Sequence, residues 1–294
     1  MLFITFPIFL GFMVGDFGFG TCLVALGLFI RMKFGGSADA KKLGAIIIAA
    51  GLMAALFGLF VFAEAFGVPF HPPEEAHDEY SWESLVNIPI HPLIEKMHDV
   101  TELLAISLLA GWVHLMLGYI LGIVNTYRHS IKHAIAKVAW ILVRFGLFAE
   151  VMLIAGDATF TSETINSTVL SPIPTASTEV AGIEASYAAL VFIIVGIVIL
   201  TFTEGALALT EVAGVLTNLV SYTRLAALAV GKGGMALAFN TMFFPLIFES
   251  GNIGLVIVGS LLLFITQAFF VFFIGSLSAG IQAIRLNYVE FFLK

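Results

Sequence analysis

Cysteine is nearly missing from this sequence: Cys22 is the only one in 294 residues. An internal disulfide is therefore excluded, and so is a metal centre built on several thiolates. Charge is almost as scarce. Asp, Glu, Lys and Arg make up 11% of the chain, against about 25% in a soluble domain. Basic residues are missing altogether from 67–95 and 157–184, which hold several acids. The N-terminus lacks the basic region of a secretory signal, and its apolar run leads into further ones. GDFGFG (15–20) is not followed by the Lys-Ser/Thr of a phosphate loop. DFG (16–18) comes without the ATP-binding lysine and catalytic loop of a kinase. No nucleophile–base pair or paired-carboxylate site stands out, and no cofactor is expected. The net charge is −7, and the few basic residues sit mostly in short loops, so nucleic acid is not an expected partner.

What is present is apolar. The chain is 60% hydrophobic, with a mean hydropathy of +1.06, and the apolar residues come in long runs. The fold class this implies is an all-α polytopic membrane protein in a lipid bilayer. Helical spans read at 43–66, 101–124, 134–156, 186–204, 206–245 and 252–291. The last two exceed the ~20 residues needed to cross, so they are expected to tilt strongly or to project. Residues 2–33 read either as one helix broken at Gly15–Gly20 or as a hairpin hinged there; glycine and Asp16 at the hinge favour the hairpin. The expectation is a single membrane domain with about eight membrane segments. Arg31, Lys33, Lys41 and Lys42 mark one loop as cytoplasmic, and Arg128, Lys132 and Lys137 mark a second. The alternation places the end of the chain, after Lys294, in the cytoplasm.

The two long spans carry polar stripes. At about 100° per residue, Glu211, Asn218 and Tyr222 fall within roughly 40° of one another. Thr217 and Ser221 lie near the face of Arg224. In the last span, Ser260, Gln267, Ser278, Gln282 and Arg285 fall within about 60° of a common line. Taken singly, Thr217, Ser260 and Ser278 need only bond backbone carbonyls. Arg224 could pair with Glu211 or Glu204, and Arg285 could snorkel to the interface. Two arginines on consecutive long helices, each with its own stripe, are harder to explain that way. A guanidinium at mid-bilayer costs about 2.5–3.5 kcal/mol on insertion scales, and such residues mark ion pathways.

SYTRLAALA (221–229) and GSLSAGIQAIRLNYVEFFLK (275–294) resemble the last two membrane helices of the stator subunit of vacuolar- and archaeal-type rotary ATPases, called subunit a or subunit I. FPIFLGFMVGDFGFG (6–20) is similar to that family's first membrane hairpin, and HLMLGYILGIVN (114–125) to its fourth segment. The likeness runs through almost the whole chain. It implies an eight-segment topology and an ion-translocating role for protons or sodium, with no bond chemistry in this chain. It also implies partners: a rotating ring of small subunits each bearing a carboxylate, and the peripheral and central stalks. Arg224 matches the arginine that faces the ring. Glu211, Asn218, Tyr222 and the neighbouring Ser221 would line the outer half-channel; Gln267, Ser278, Gln282 and Arg285 would line the cytoplasmic one. The family's large N-terminal cytoplasmic domain is not in this sequence, so an excerpt, a truncation or a split subunit is expected. Eukaryotic members carry an acid where Gly275 stands and a histidine where Gln282 stands, which makes the chain archaeal-like, of a prokaryotic cell membrane.

Other motifs weigh less. HPPEEAHDEY (71–80) reads as a solvated outer loop rather than a metal site, and Asn166-Ser167-Thr168 as a chance sequon. His114, Glu64 and Glu150 read as internal polar contacts. A secondary transporter binding an anion at Arg224 is the alternative function, but no second half of the chain resembles 206–291. A structural scaffold, with its arginines paired internally, is a third.

Overall fold

The computed structural model describes residues 2–70, 92–97, 99–126, 131–159, 179–180, 183–203, 205, 208–248 and 250–292. The acidic run at 71–80, the sequon at 166–168, Arg128 and Glu204 lie outside them. The described chain is mostly helical: α1 (Leu2–Val14), α2 (Phe17–Lys33), α3 (Ala38–Phe60), α4 (Val100–Thr126), α5 (Ile131–Thr159), α6 (Ala185–Thr203), α7 (Ala208–Val220), α8 (Thr223–Phe248), α9 (Ile253–Thr266) and α10 (Gly275–Arg285). π-helical turns at Gln267–Ile274 and Leu286–Phe292 continue α9 and α10. Two-residue antiparallel ladders are added to an otherwise helical chain, β1 (Glu64–Ala65) with β2 (Val68–Pro69) and β3 (Glu179–Val180) with β4 (Ile183–Glu184). Four stretches are long and apolar enough to cross a membrane: Ala38–Phe60, Val100–Thr126, Thr210–Phe248 and Ile253–Val289. Phe3–Val14 and Tyr187–Thr203 are shorter apolar helices. This is a membrane protein.

The chain divides into two compact units, Met1–Leu103 with Arg224–Asn287, and Leu104–Thr223 with Tyr288–Lys294. In the first, Gly15 adopts φ +43° and Asp16 an extended conformation, which ends α1 and starts α2. α1 and α2 flank α3 in opposite directions. A Cβ on Gly11 would strike Met53, and one on Gly15 would strike Phe62, so α1 ascends with α3. Gly20 abuts Gly51 and Ala55, and Gly27 abuts Gly44 and Ile48, so α2 descends against it. Glycine at facing positions lets the two backbones approach within side-chain-free distance, the small-residue packing of membrane helices.

The helix expected over 43–66 stops at Phe60 because the chain turns into β1 and β2. Phe66 and Gly67, with φ +54° and +70°, form the turn between them. Two successive left-handed residues make the tight hairpin that matches strand twist. α10 runs back along α1, with Leu10 near Gly280 and a Thr5–Asn287 hydrogen bond.

The second unit is built on α5 and α6, which run antiparallel with Gly146 against Ala189 and Ile193, and Gly196 against Ala139 and Val143. Ala139, Trp140, Val143, Leu200 and Val215 form its core, joining α5, α6 and α7.

Candidate functional site

The first unit buries a group of charges at the hinge of α1 and α2. Asp16 is 2% exposed. Its carboxylate accepts the N–H of Phe19 at 2.8 Å, capping α2, and those of Phe66 at 3.0 Å and Gly67 at 2.9 Å. Consecutive left-handed residues point their amides one way and form an anion-binding concavity. Here the anion is Asp16 itself. Lys96, 5% exposed, donates from Nζ to the Gly15 carbonyl at 2.6 Å and is paired with Glu64. Lys232 of α8, also 5% exposed, donates to the Val14 carbonyl at 3.4 Å and lies within the fields of Asp16, Lys96 and Glu64. The two ammonium groups sit over the rings of Phe62 and Phe19, at 4.3 and 4.5 Å. Two lysines and two carboxylates make the cluster neutral, the condition under which buried charge is tolerated.

From this cluster α8 runs against the last helix. A Cβ on Gly275 would lie 3.5 Å from the Lys232 methylenes. Gln267 donates from Nε2 to Asn240 Oδ1 at 2.7 Å and to the Ala236 carbonyl at 3.1 Å. Farther along, Gly259 faces Leu246 and Ile247. These pairings define one antiparallel register. Nη1 of Arg224 and Oε1 of Gln282 are both buried with no hydrogen-bond partner among the described residues, as is Oε1 of Gln267. Ser278 is half-buried and Arg285 is exposed. Ser260 bonds back to the Val256 carbonyl at 2.7 Å. The uniform 100° step does not carry across Gln267–Ile274, because π-helical turns hold more residues than α-helical ones. Ser260 therefore does not share the line of Ser278 and Arg285.

Glu211, Asn218, Ser221 and Tyr222 belong to the second unit. The helix expected over 206–245 is interrupted by a turn at Ser221–Tyr222, just before Arg224. The Tyr222 side chain abuts Gly111, where a Cβ would collide, and its hydroxyl shares a 2.7 Å hydrogen bond with Nδ1 of His114. Tyr222 is fully buried, Asn218 is half-buried with Nδ2 unpartnered among the described residues, and Glu211 is exposed. A buried donor without a partner needs an explanation, since nearly all such groups in folded proteins are satisfied.

No family model matches the chain. It is 31% identical along its whole length to A-type ATP synthase subunit I of Halobacterium salinarum, of which it covers 45%. It is 31% identical over 99% of its length to A-type ATP synthase subunit I of Archaeoglobus fulgidus, covering 46% of that protein. The subunit I of Methanocaldococcus jannaschii is 30% identical over 98% of the chain, which covers 41% of it. Along nearly its whole length the chain is similar to part of archaeal A-type ATP synthase subunit I. It spans less than half the length of these curated relatives.

Sequence reasoning missed several buried polar residues. Lys96 follows a long acidic loop and Lys232 stands in a glycine-rich GKGG, so neither stands out as Arg224 does. Asn240 was passed over for the same lack of a local signal. Arg144 is different. It is 3% exposed in α5, donates from Nη2 to the Tyr119 hydroxyl at 2.8 Å, and stacks on that ring at 4.1 Å. The rule that singled out Arg224, a cation inside an apolar helix, would have found it.

Proposed function

We propose that this chain is the ion-conducting membrane part of the rotary ATP synthase stator, and that Arg224 is its charge barrier. The observation that carries the reading is the Arg224 guanidinium, partly buried and with Nη1 unmatched among the described residues; continuing the register of α8 would bring it level with Gln282. A permanent cation in low dielectric with a nitrogen unmatched among the described residues strongly attracts a carboxylate arriving from outside the chain. A ring of small subunits, each with one carboxylate, supplies that charge repeatedly. The guanidinium holds each carboxylate ionised as it passes. Because it keeps its own proton, it relays none and blocks a direct leak.

In this reading Gln267, Ser278, Gln282 and Arg285 border the cytoplasmic half-channel, and Glu211, Asn218, Ser221 and Tyr222 the outer one. The eight segments, the tilt of the last two and the cytoplasmic C-terminus belong to the same proposal, as do the contacts with the peripheral and central stalks. ATP is handled by other subunits, and the ring carboxylate's surroundings choose between H⁺ and Na⁺. The test is ATP-driven ion uptake into vesicles carrying the whole complex, native against Arg224→Ala, with assembly followed by pull-down. Abolished uptake in an assembled complex is the expected result. Uptake that survives the substitution removes the barrier reading and leaves a structural scaffold.

A further inference from the structure

One face of α8 is occupied in holding the helix rather than in lining a path. Lys232, Ala236 and Asn240 follow at intervals of four and so lie along the same side. Each meets the hinge region: Lys232 donates to the Val14 carbonyl at 3.4 Å, Ala236 abuts Gly67 where a Cβ would collide, and Asn240 donates to the Phe66 carbonyl at 2.9 Å. The same residues meet the last helix, Lys232 at Gly275, and Ala236 and Asn240 at Gln267. Arg224 precedes Lys232 by eight residues, which is about 12 Å along the axis and about 80° around it.

We propose that Lys232 and Asn240 are positioning residues for Arg224, fixing the height and rotation of α8 against both the hinge and the last helix. The inference rests on the reading of Arg224 as the ion barrier. An apolar face can slide by a turn and repack, because its contacts are interchangeable. A buried lysine cannot: displaced by one turn, about 5.4 Å, its ammonium leaves Val14, Asp16 and the Phe19 ring and stands unpaired in an apolar surround. The amide of Asn240 adds a second fixed point two turns on, bonded on both sides. Together they tie the level of the guanidinium to that of Gln282. A carboxylate would then meet the cation at one defined depth.

The test uses the intact rotary complex in sealed vesicles, reading ions taken up per ATP hydrolysed, passive leak without ATP, and assembly. Three variants are compared with native: Lys232→Met, Asn240→Ala, and the charge-balanced pair Lys232→Met with Asp16→Asn. Misplacing a reacting group by an ångström costs up to about a hundredfold, so ions per ATP should fall at least about tenfold in assembled variants whose hydrolysis persists. The charge-balanced pair should recover assembly without recovering the ratio, which a purely structural role would not predict. Ratios within twofold of native overturn the proposal, as does failure of all three to assemble. Arg224→Ala is run alongside. If it pumps normally, the barrier reading itself fails. If it alone stops pumping, only the positioning role does.

Discussion

Asp16 organises more of the first unit than a short side chain on a hinge would suggest. It caps α2, fills the concavity made by Phe66 and Gly67, and stands near the buried ammonium of Lys232. Breaking a buried charge set by removing one member costs about 3–5 kcal/mol. Asp16→Asn should lower the thermal unfolding temperature of the detergent-solubilised chain accordingly, and an unchanged transition would show that the cluster contributes little. Tyr222→Phe removes only the hydroxyl shared with His114, so about 1–2 kcal/mol is expected by the same measurement. At this scale the sequence was legible where the signal is local. Asp16 beside glycines and Arg224 inside an apolar run are read at once. The lysines buried around the Asp16 hinge were not, because Lys96 and Lys232 come from 80 and 216 residues downstream, and only tertiary packing chooses them.

Helices were the easier quantity, since long apolar runs specify them whatever packs beside them. Their interruptions were harder. Nothing in the periodicity of 206–245 announces the turn at Ser221–Tyr222, which is held by Tyr222 fitting against Gly111 on α4. Likewise α3 ends at Phe60 because two left-handed residues six positions on find their acceptor in Asp16. Glycine seams are the firmest element-level feature. Gly20→Ala and Gly51→Ala each put a methyl against the backbone of the facing helix, while Gly36 has open space around it. Overpacking costs about 1–3 kcal/mol, so both substitutions should destabilise the chain to thermal unfolding and Gly36→Ala should not. Equal effects at all three would mean that α2 and α3 do not depend on close approach.

For the molecule as a whole, motif order along the chain is the most legible feature of the sequence. The motifs at 6–20, 114–125, 221–229 and 275–294 led to the family before any contact was known. The division into two units was not legible, because it depends on which helices share cores. Sidedness is directly testable. With Cys22→Ser as background, Ser37→Cys should react with a membrane-impermeant thiol reagent only from the cytoplasmic side, and Ser81→Cys only from the other. Labelling of both from one side would overturn the charge-based orientation. The neutral cluster at the hinge has a consequence for how the protein is made. Its four charges stand at positions 16, 64, 96 and 232, so Asp16 leaves the ribosome 216 residues before Lys232. Until α8 emerges, the nascent chain holds two acids against one lysine. The hinge therefore reaches formal charge balance only with the arrival of the helix that bears Arg224.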